Sequence, residues 1–293
     1  MKTEEVIKHY SDLMNDFLNN VDFKNYTYDI IDNSHFENET SKNVSDFQRI
    51  YWEEILQRAH WASITSIVRN QKWLNAIELS IQNNNFLSFT STLRSLIESS
   101  GDNLLSLDNV ALTLAENSKN ISTALSGKVE DRKLIVSKEL EEKLIHFSFG
   151  RKVSKEEKEA NGNLPKSHNA KPAFEYIKKL DFGEDKGPLS KLYSELCQYT
   201  HPAAQSTHFL FDYKVENNIH NFNYSEKTDA EHIGNLLIEY KKEIIDTLQY
   251  GFNPSLMILK VLNRFEFKKV HTKKADEINL KNIKMWKKIE TLI

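Results

Sequence analysis

The sequence contains very little cysteine, proline and glycine, and it has no long apolar run. Its 293 residues include 8 Gly, 5 Pro and a single cysteine, Cys197. All-β chains need many more turn residues, so this composition is typical of a helical protein. One cysteine excludes an internal disulfide framework and a cysteine-based zinc site. Residues 1–13 lack the apolar core of a signal peptide and no segment is long enough to span a membrane, so we expect a cytoplasmic chain with no membrane partner.

Charge is distributed unevenly along the chain. The whole sequence has a net charge of −3, whereas residues 260–293 contain nine Lys and one Arg against four acidic residues. A basic end on an acidic chain can be a nucleic-acid footprint, and the alternative is a solvated Lys-rich helix. The predicted nucleic-acid surface consists of four lysines whose spacing places them on one face of a last helix over 276–292: Lys281, Lys284, Lys287 and Lys288.

Helical periodicity dominates the sequence, and its breaks suggest three parts. We predict an N-terminal helix and irregular segment at 1–45, with a short strand at 26–31, a central helical domain at 46–250 and a basic helical extension at 251–293. Alternating apolar and polar residues predict a β-hairpin over 209–224. Residues 151–171 are almost free of apolar side chains, which predicts either disorder or a mobile flap. The predicted fold class is therefore mostly α, a multi-helix bundle with a small β-hairpin.

Capping and breaker residues predict several helix boundaries. Ser45 and Thr228 each begin a capping-box pattern, and each is expected to start a helix. Gly251 and Pro254 are expected to end the helix that starts at Thr228.

Residues 86–107 predict a central helix that carries charge. Seven of its apolar residues fall within one arc of about 100°, while Leu87 and Leu105 lie on nearly the same bearing as Arg94 and Glu98. The second side is therefore expected to be covered as well, which would leave Arg94 and Glu98 partly buried and in need of partners. The structural alternative is an i, i+4 ion pair on one helix.

A later helix is expected to end beside this charged face. Pro202 disfavours helical geometry at the preceding residue, so the helix should end near Thr200, with His201 at the negative end of its dipole. The alternative for His201 is a structural contact with the last carbonyls of the helix. The sequence predicts one composite site of four residues: Arg94, Glu98, Tyr199 and His201.

These two segments, which contain RSLIE and LYSELCQYTHP, resemble the bacterial DUF5677-type proteins, a helical family related to the HEPN superfamily. The resemblance covers about residues 50–210 and rests on seven matching residues: Arg94, Leu96, Glu98, Tyr193, Leu196, Tyr199 and His201. It implies a HEPN-like bundle and a defence- or stress-related role, such as phage defence. HEPN ribonucleases cleave RNA without a metal, using His as acid and base and Arg to stabilise the phosphate charge.

On this resemblance the protein is expected to bind or cleave RNA without a cofactor or a metal. Arg94 would hold a phosphate, His201 would transfer a proton, and Glu98 and Tyr199 would orient them. Three further residues are predicted to bind substrate: Tyr193, Ser206 and His208. The HEPN spacing of Arg and His is absent from this region, and a match to it occurs at Arg264 and His271 in the basic end.

Other functions stay open at this stage. The same residues could lock two helices together in a non-catalytic interaction module, with a protein partner or a second copy of the chain in a homodimer. A nucleotide-binding sensor is a third possibility. His201, His208 and Glu98 could also bind a metal, although their spacing is undiagnostic.

Overall fold

The computed structural model describes residues 1–21, 43–129, 135–152, 154–160, 169–184, 187–202, 204–267 and 272–293. The predicted mostly α-helical fold with a small β-hairpin is confirmed. The predicted strand at 26–31 and His271 lie outside the described residues.

Helices make up most of the described chain. In order along the sequence they are α1 Thr3–Asn19, α2 Val44–Gln82, α3 Phe86–Leu107, α4 Val110–Glu116, α5 Ser118–Leu125, α6 Lys138–Phe149, α7 Lys155–Ala160, α8 Ala173–Leu180, α9 Pro188–Thr200, α10 Ala204–His208, α11 Glu226–Glu239, α12 Lys241–Leu262, α13 Lys274–Glu277 and α14 Lys284–Glu290. The strands β1 Asp212–Glu216 and β2 Ile219–Asn223 pair antiparallel between α10 and α11.

The chain divides into two compact units, and each is assembled from three separate segments. The first unit contains Met1–Asn15, Val68–Leu104 and Pro172–Phe252, and the second contains Asp16–Ile67, Leu105–Lys171 and Asn253–Ile293. The division into 1–45, 46–250 and 251–293 stays a prediction.

In the first unit, buried polar side chains join helices that are far apart in sequence. The Gln71 amide on α2 donates to the Ser11 carbonyl at 3.2 Å and to the Asn15 side-chain oxygen at 3.0 Å, both on α1. The Thr3 hydroxyl donates to the Leu237 carbonyl of α11 at 2.6 Å. Because buried polar groups are costly unless they are hydrogen-bonded, these contacts select one arrangement of the helices.

In the second unit, apolar side chains of α2, α4, α6 and α14 are buried, and among them Trp52 of α2 is fully buried. The Tyr51 hydroxyl accepts from the Ser137 backbone N–H at 2.8 Å, which ties α2 to the start of α6. Lys260 on α12 is almost completely buried, and its ammonium donates to three backbone carbonyls at 2.8–3.1 Å: those of Ala275, Asp276 and Ile278. Lys260 thus stabilises the end of α13 and does not contribute to a solvated basic face.

The predicted break at Gly251 and Pro254 is wrong, because α12 runs through both residues to Leu262. Proline has no N–H to donate to the carbonyl four residues earlier, which belongs to Tyr250. The Asn103 side-chain amide donates to that carbonyl at 2.9 Å and to the Gly251 carbonyl at 3.0 Å. The Asn70 amide also donates to the Gly251 carbonyl, at 2.6 Å. The Asn103 amide therefore supplies the donor that the proline removes, and the Asn70 amide adds a donor at the neighbouring Gly251 carbonyl.

Two predicted helix starts are wrong by one or two residues. Helix α2 begins at Val44, since the Asn43 side chain accepts from the Asp46 N–H at 2.7 Å and caps the first turn. Helix α11 begins at Glu226, since the Ser225 hydroxyl accepts from the Lys227 N–H. Asn and Ser are favoured cap residues, and in both cases the cap precedes the expected capping box.

Part of the segment predicted to be disordered or a flap forms the short helix α7. Its start is a capping box, in which the Ser154 N–H donates to the Glu157 carboxylate and the Glu157 N–H donates to the Ser154 hydroxyl, both at 3.1 Å. Arg151 adds two contacts to the same carboxylate at 2.7 and 2.8 Å. Residues 161–168 of this segment lie outside the described chain.

The predicted last helix over 276–292 is also wrong in its extent. The Asn279 side chain accepts from the Lys281 N–H at 3.0 Å, a local turn that competes with helical hydrogen bonding. Helical geometry resumes only at Lys284, in α14. Lys281 therefore precedes the helix that carries the other three lysines of the predicted nucleic-acid surface.

Candidate functional site

Helix α9 is held in the first unit at both of its ends. Asp181, buried just after α8, accepts from the Leu189 N–H at 3.0 Å and the Ser190 N–H at 2.8 Å, so a carboxylate caps the positive end of the helix dipole. The helix ends at Thr200, and His201 is extended, as Pro202 predicts. These signals fix which residues of α9 face α3.

Arg94 and Glu98 on α3 meet Tyr193 and Thr200 on α9. The Arg94 Nε lies 3.3 Å from the Glu98 Oε1 and 3.4 Å from the Tyr193 hydroxyl, and its Nη1 donates to the Thr200 hydroxyl at 3.3 Å. The Tyr193 hydroxyl donates to Glu98 at 2.6 Å. The guanidinium carbon also lies 5.5 Å from the centre of the Tyr193 ring, within cation–π range. We call these four residues the Arg94 cluster.

The Arg94 cluster is open to solvent on one side. The exposed fractions of the Arg94 and Glu98 side chains are 29% and 36%, so both are half-buried. Leu87, which was expected to help cover this face, is exposed. Among the residues that the structure describes, the Arg94 Nη2 has no hydrogen-bond partner. The described chain thus holds the guanidinium through Nε and Nη1 and leaves the Nη2 donors without a partner.

Tyr199 belongs to a neighbouring cluster and not to the Arg94 cluster. Its hydroxyl donates at 2.6 Å to Glu195, one turn earlier on α9, and the Tyr240 hydroxyl donates to the other oxygen of that carboxylate. The Tyr199 ring packs edge-on against Phe86 at 5.0 Å and Phe209 at 4.3 Å. Its surroundings anchor α9, and its hydroxyl is directed to Glu195.

The three predicted residues after α9 lie toward solvent. The imidazole of His201 is exposed and makes no side-chain hydrogen bond within the described part of the chain, although the residue directly follows Thr200 of the Arg94 cluster. Ser206 is half-buried on α10. His208, the last residue of α10, is exposed and stacks on Tyr213 of β1 at 5.4 Å.

Burial and the hydrogen bond to Glu98 raise the pKa of Tyr193 to about 12. In the unfolded chain the phenol ionises near pH 10, so above that pH the unfolded state loses a proton that the folded state keeps. The stabilisation is therefore complete below about pH 10 and is lost as the pH rises toward 12. We expect the unfolding free energy of Tyr193→Phe to fall less steeply across this window than that of the wild type, as measured by urea denaturation at successive pH values. Parallel curves would contradict the hydrogen bond between Tyr193 and Glu98.

The basic end carries exposed lysines beside a polar cavity in the second unit. Lys281, Lys284, Lys287 and Lys288 are all exposed, and Lys288 lies 3.4 Å from Glu116. Trp286 is buried, with the Lys260 ammonium 5.4 Å from its ring centre, so it packs inside the unit. A cavity of about 560 Å³ lies here, lined by residues of both charges that include Arg264, Lys281, Asp276 and Glu290. The predicted nucleic-acid surface stays a prediction.

The described residues contain neither a metal-binding cluster nor a membrane-spanning helix. No set of three His, Cys, Asp or Glu side chains within them is arranged to hold a metal ion, and the alternative of His201, His208 and Glu98 is not such a set. In the same part of the chain, no helix combines the length and apolar character needed to cross a bilayer.

Sequence reasoning missed Thr200, Glu195 and Tyr240. Glu195 and Tyr199 are four residues apart on one helix, so their pairing was open to the same i, i+4 argument that linked Arg94 to Glu98. Tyr240 comes from α11 and Thr200 pairs with α3, and no local pattern indicates either partner.

Comparison with protein-family models, curated proteins and solved structures finds no significant match to this chain.

Proposed function

We propose that this protein binds RNA at the Arg94 cluster, with Arg94 contacting a backbone phosphate. The observation that carries the proposal is the half-exposed guanidinium, which Glu98 and Tyr193 hold at Nε and Thr200 holds at Nη1, while its Nη2 has no partner in the described chain. A guanidinium fixed in this way can offer two parallel donors to a phosphate with little loss of side-chain freedom. The resemblance to HEPN-related proteins supports the same ligand and a bacterial, cytoplasmic setting in defence or stress.

We extend the proposal to metal-independent RNA cleavage, with His201 as the group that moves a proton. A general acid or base has to reach the reacting atoms, and His201, whose imidazole is exposed, directly follows Thr200 of the Arg94 cluster. Arg94 would then stabilise the charge that develops on the phosphate. Glu98 and Tyr193 position the guanidinium, and Tyr199 anchors the end of α9.

A non-catalytic interaction module is the second candidate. The observation that favours it is that Arg94, Glu98, Tyr193 and Thr200 bind one another across α3 and α9. In that case the Arg94 cluster stabilises the packing of α3 against α9 and binds no ligand.

Arg94→Gln separates these candidates. If the Arg94 cluster binds RNA, Arg94→Gln removes a charged hydrogen-bond donor to phosphate. RNA binding should then weaken about tenfold, since such bonds contribute roughly 1.5–3 kcal/mol. The measurement is fluorescence anisotropy of a labelled single-stranded RNA with the full chain at low salt. Lys242→Gln is the matched control, because it removes one positive charge from an exposed lysine of α12 in the same unit. We expect the control to stay within about twofold of the wild type.

The same preparations test cleavage and the rival candidate. His201→Ala should reduce the rate of RNA cleavage by about 10²-fold or more without changing the melting temperature, because the imidazole is exposed. Cleavage should persist in the presence of a chelator. A wild-type chain that binds no RNA at low salt, with Arg94→Gln lowering only the melting temperature, would refute the proposal and leave the interaction module.

A further inference from the structure

The β-hairpin has two chemically different faces, and both are open to solvent. Tyr213 pairs with Phe222 and Val215 with His220, so these four side chains share one face of the ribbon. All ten strand residues are exposed. The exposed fractions of the Tyr213 and Phe222 side chains are 36% and 45%, and that of Tyr224, just beyond β2, is 76%. Large aromatic side chains are rarely left this open on a two-stranded ribbon without a partner.

The rings on this face are already arranged in a stack. Tyr213 and Phe222 lie 4.8 Å apart between ring centres, with planes inclined by 30°. His208 lies 5.4 Å from Tyr213 with an angle of 21°. The His220 ring is hydrogen-bonded to the Tyr213 hydroxyl, with 2.5 Å between the two atoms. We call His208, Tyr213, His220 and Phe222 the ring platform.

Charge is separated between the two faces. Asp212 and Glu216 lie with Lys214 on the face opposite the ring platform, and Lys214 pairs with Asp212 at 3.3 Å. Among the strand residues on the platform face, His220 carries an imidazole and none carries a carboxylate, and His208 of α10 adds a second imidazole. An anionic ligand that contains aromatic rings would meet no negative charge on the platform face. On the opposite face, Asp212 and Glu216 would repel it.

The ring platform continues from the end of α9. Phe209 directly follows His208 and packs edge-on against Tyr199 at 4.3 Å, so the base of the hairpin rests on the same helix end that carries Thr200 and His201. The end of α9 therefore connects the Arg94 cluster, through Thr200, with the segment that leads into the platform.

We propose that the ring platform stacks the bases of single-stranded RNA, an inference that rests on the RNA-binding function proposed above. Exposed aromatic rings stack on any base, and the absence of carboxylates on this face suits a phosphate backbone. Duplex RNA already has its bases stacked on one another, so it cannot use the rings in this way. The platform thus selects single-stranded over double-stranded RNA and contributes affinity with little dependence on sequence.

Paired substitutions on the two faces test this inference. Tyr213→Ala and Phe222→Ala should each weaken binding of a labelled oligouridine about tenfold, the loss expected for one stacked base. Lys214→Ala and Asn221→Ala change the opposite face of the same hairpin and should stay within about twofold. Tyr213→Trp and Phe222→Tyr keep a ring and should restore binding, which separates stacking from any loss of the hairpin. RNA carrying a photoreactive uridine should cross-link to the peptide that contains residues 208–224.

The outcomes distinguish this inference from the function on which it rests. If the wild type binds oligouridine and the ring variants bind equally well, the platform is wrong and the RNA-binding function stands. If the ring variants weaken binding and Arg94→Gln does not, the platform stands and the Arg94 cluster is not the phosphate site. Equal affinity for single-stranded and duplex RNA would overturn the platform. So would ring-dependent dimerisation in sedimentation without ring-dependent RNA binding, which would assign the face to a second copy of the chain.

Discussion

Asn70→Ala is expected to lower the free energy of unfolding by about 2–4 kcal/mol, because it removes a fully buried amide that is hydrogen-bonded on both sides. The Asn70 Nδ2 donates to the Gly251 carbonyl at 2.6 Å, and its Oδ1 accepts from the Ser99 hydroxyl. Alanine leaves a buried hydroxyl without this acceptor, and the carbonyl loses one of its two side-chain donors. The measurement is urea denaturation followed by circular dichroism. Asn83→Ala, an exposed amide at the end of the same helix, is the matched control and should cost less than about 0.5 kcal/mol.

A double-mutant cycle tests whether Asn103 compensates for the donor that Pro254 lacks. Asn103 donates to the Tyr250 carbonyl, which has no helical donor because residue 254 is proline. Pro254→Ala supplies that donor, so Asn103→Ala should be less costly in the Pro254→Ala background by about 0.5–3 kcal/mol. Strictly additive costs would mean that Asn103 does not compensate for the proline.

Gly101→Ala is the second change with a large expected effect, a loss of about 1–3 kcal/mol. Gly101 lies within α3, and a Cβ there would approach the Tyr176 backbone of α8 to 2.8 Å. Backbone atoms cannot rotate away as a side-chain end can, so the two helices would have to separate. This cost exceeds the gain of about 0.5–1 kcal/mol that alanine brings over glycine in a helix.

Gly234→Ala provides the control with the opposite sign. Gly234 is also inside a helix, α11, and a Cβ there meets nothing within 4 Å. We expect it to stabilise the protein by about 0.5–1 kcal/mol. If Gly101→Ala were also stabilising, the close approach of α3 and α8 would be wrong.

Features that depend on local chemistry were predictable from the sequence. Pro202 disfavours the helical region for the residue before it, and α9 ends at Thr200 as expected. The hairpin follows from alternating residues around Asn217 and Asn218, both of which adopt the positive φ that its turn requires. The i, i+4 spacing of Arg94 and Glu98 likewise predicted their ion pair.

Features that depend on distant partners were not predictable in this way. Gly251 and Pro254 are strong local breakers, yet α12 continues because the Asn103 amide of α3 replaces the missing donor and the Asn70 amide of α2 binds the next carbonyl. Tyr199 was assigned to the composite site, but Glu195 on its own helix is a nearer acceptor than any group on α3. Lys281 was placed on a helix face, and the Asn279 side chain forms a turn there instead. In each case a specific hydrogen bond outweighs the average preference of the residue type.

Asn70 and Asn103, which donate to carbonyls of α12, precede that helix in the order of synthesis. Asn103 is separated from Tyr250 by 147 positions, so it leaves the ribosome roughly 7–30 s earlier at about 5–20 residues per second. Both amides therefore exist in the nascent chain well before the carbonyls that need them. Synthesis delivers the proline-containing helix after both of the side chains that donate to it. A circular permutant that moves α12 ahead of α2 would reverse this order, and the helix would then emerge before the amides that complete it.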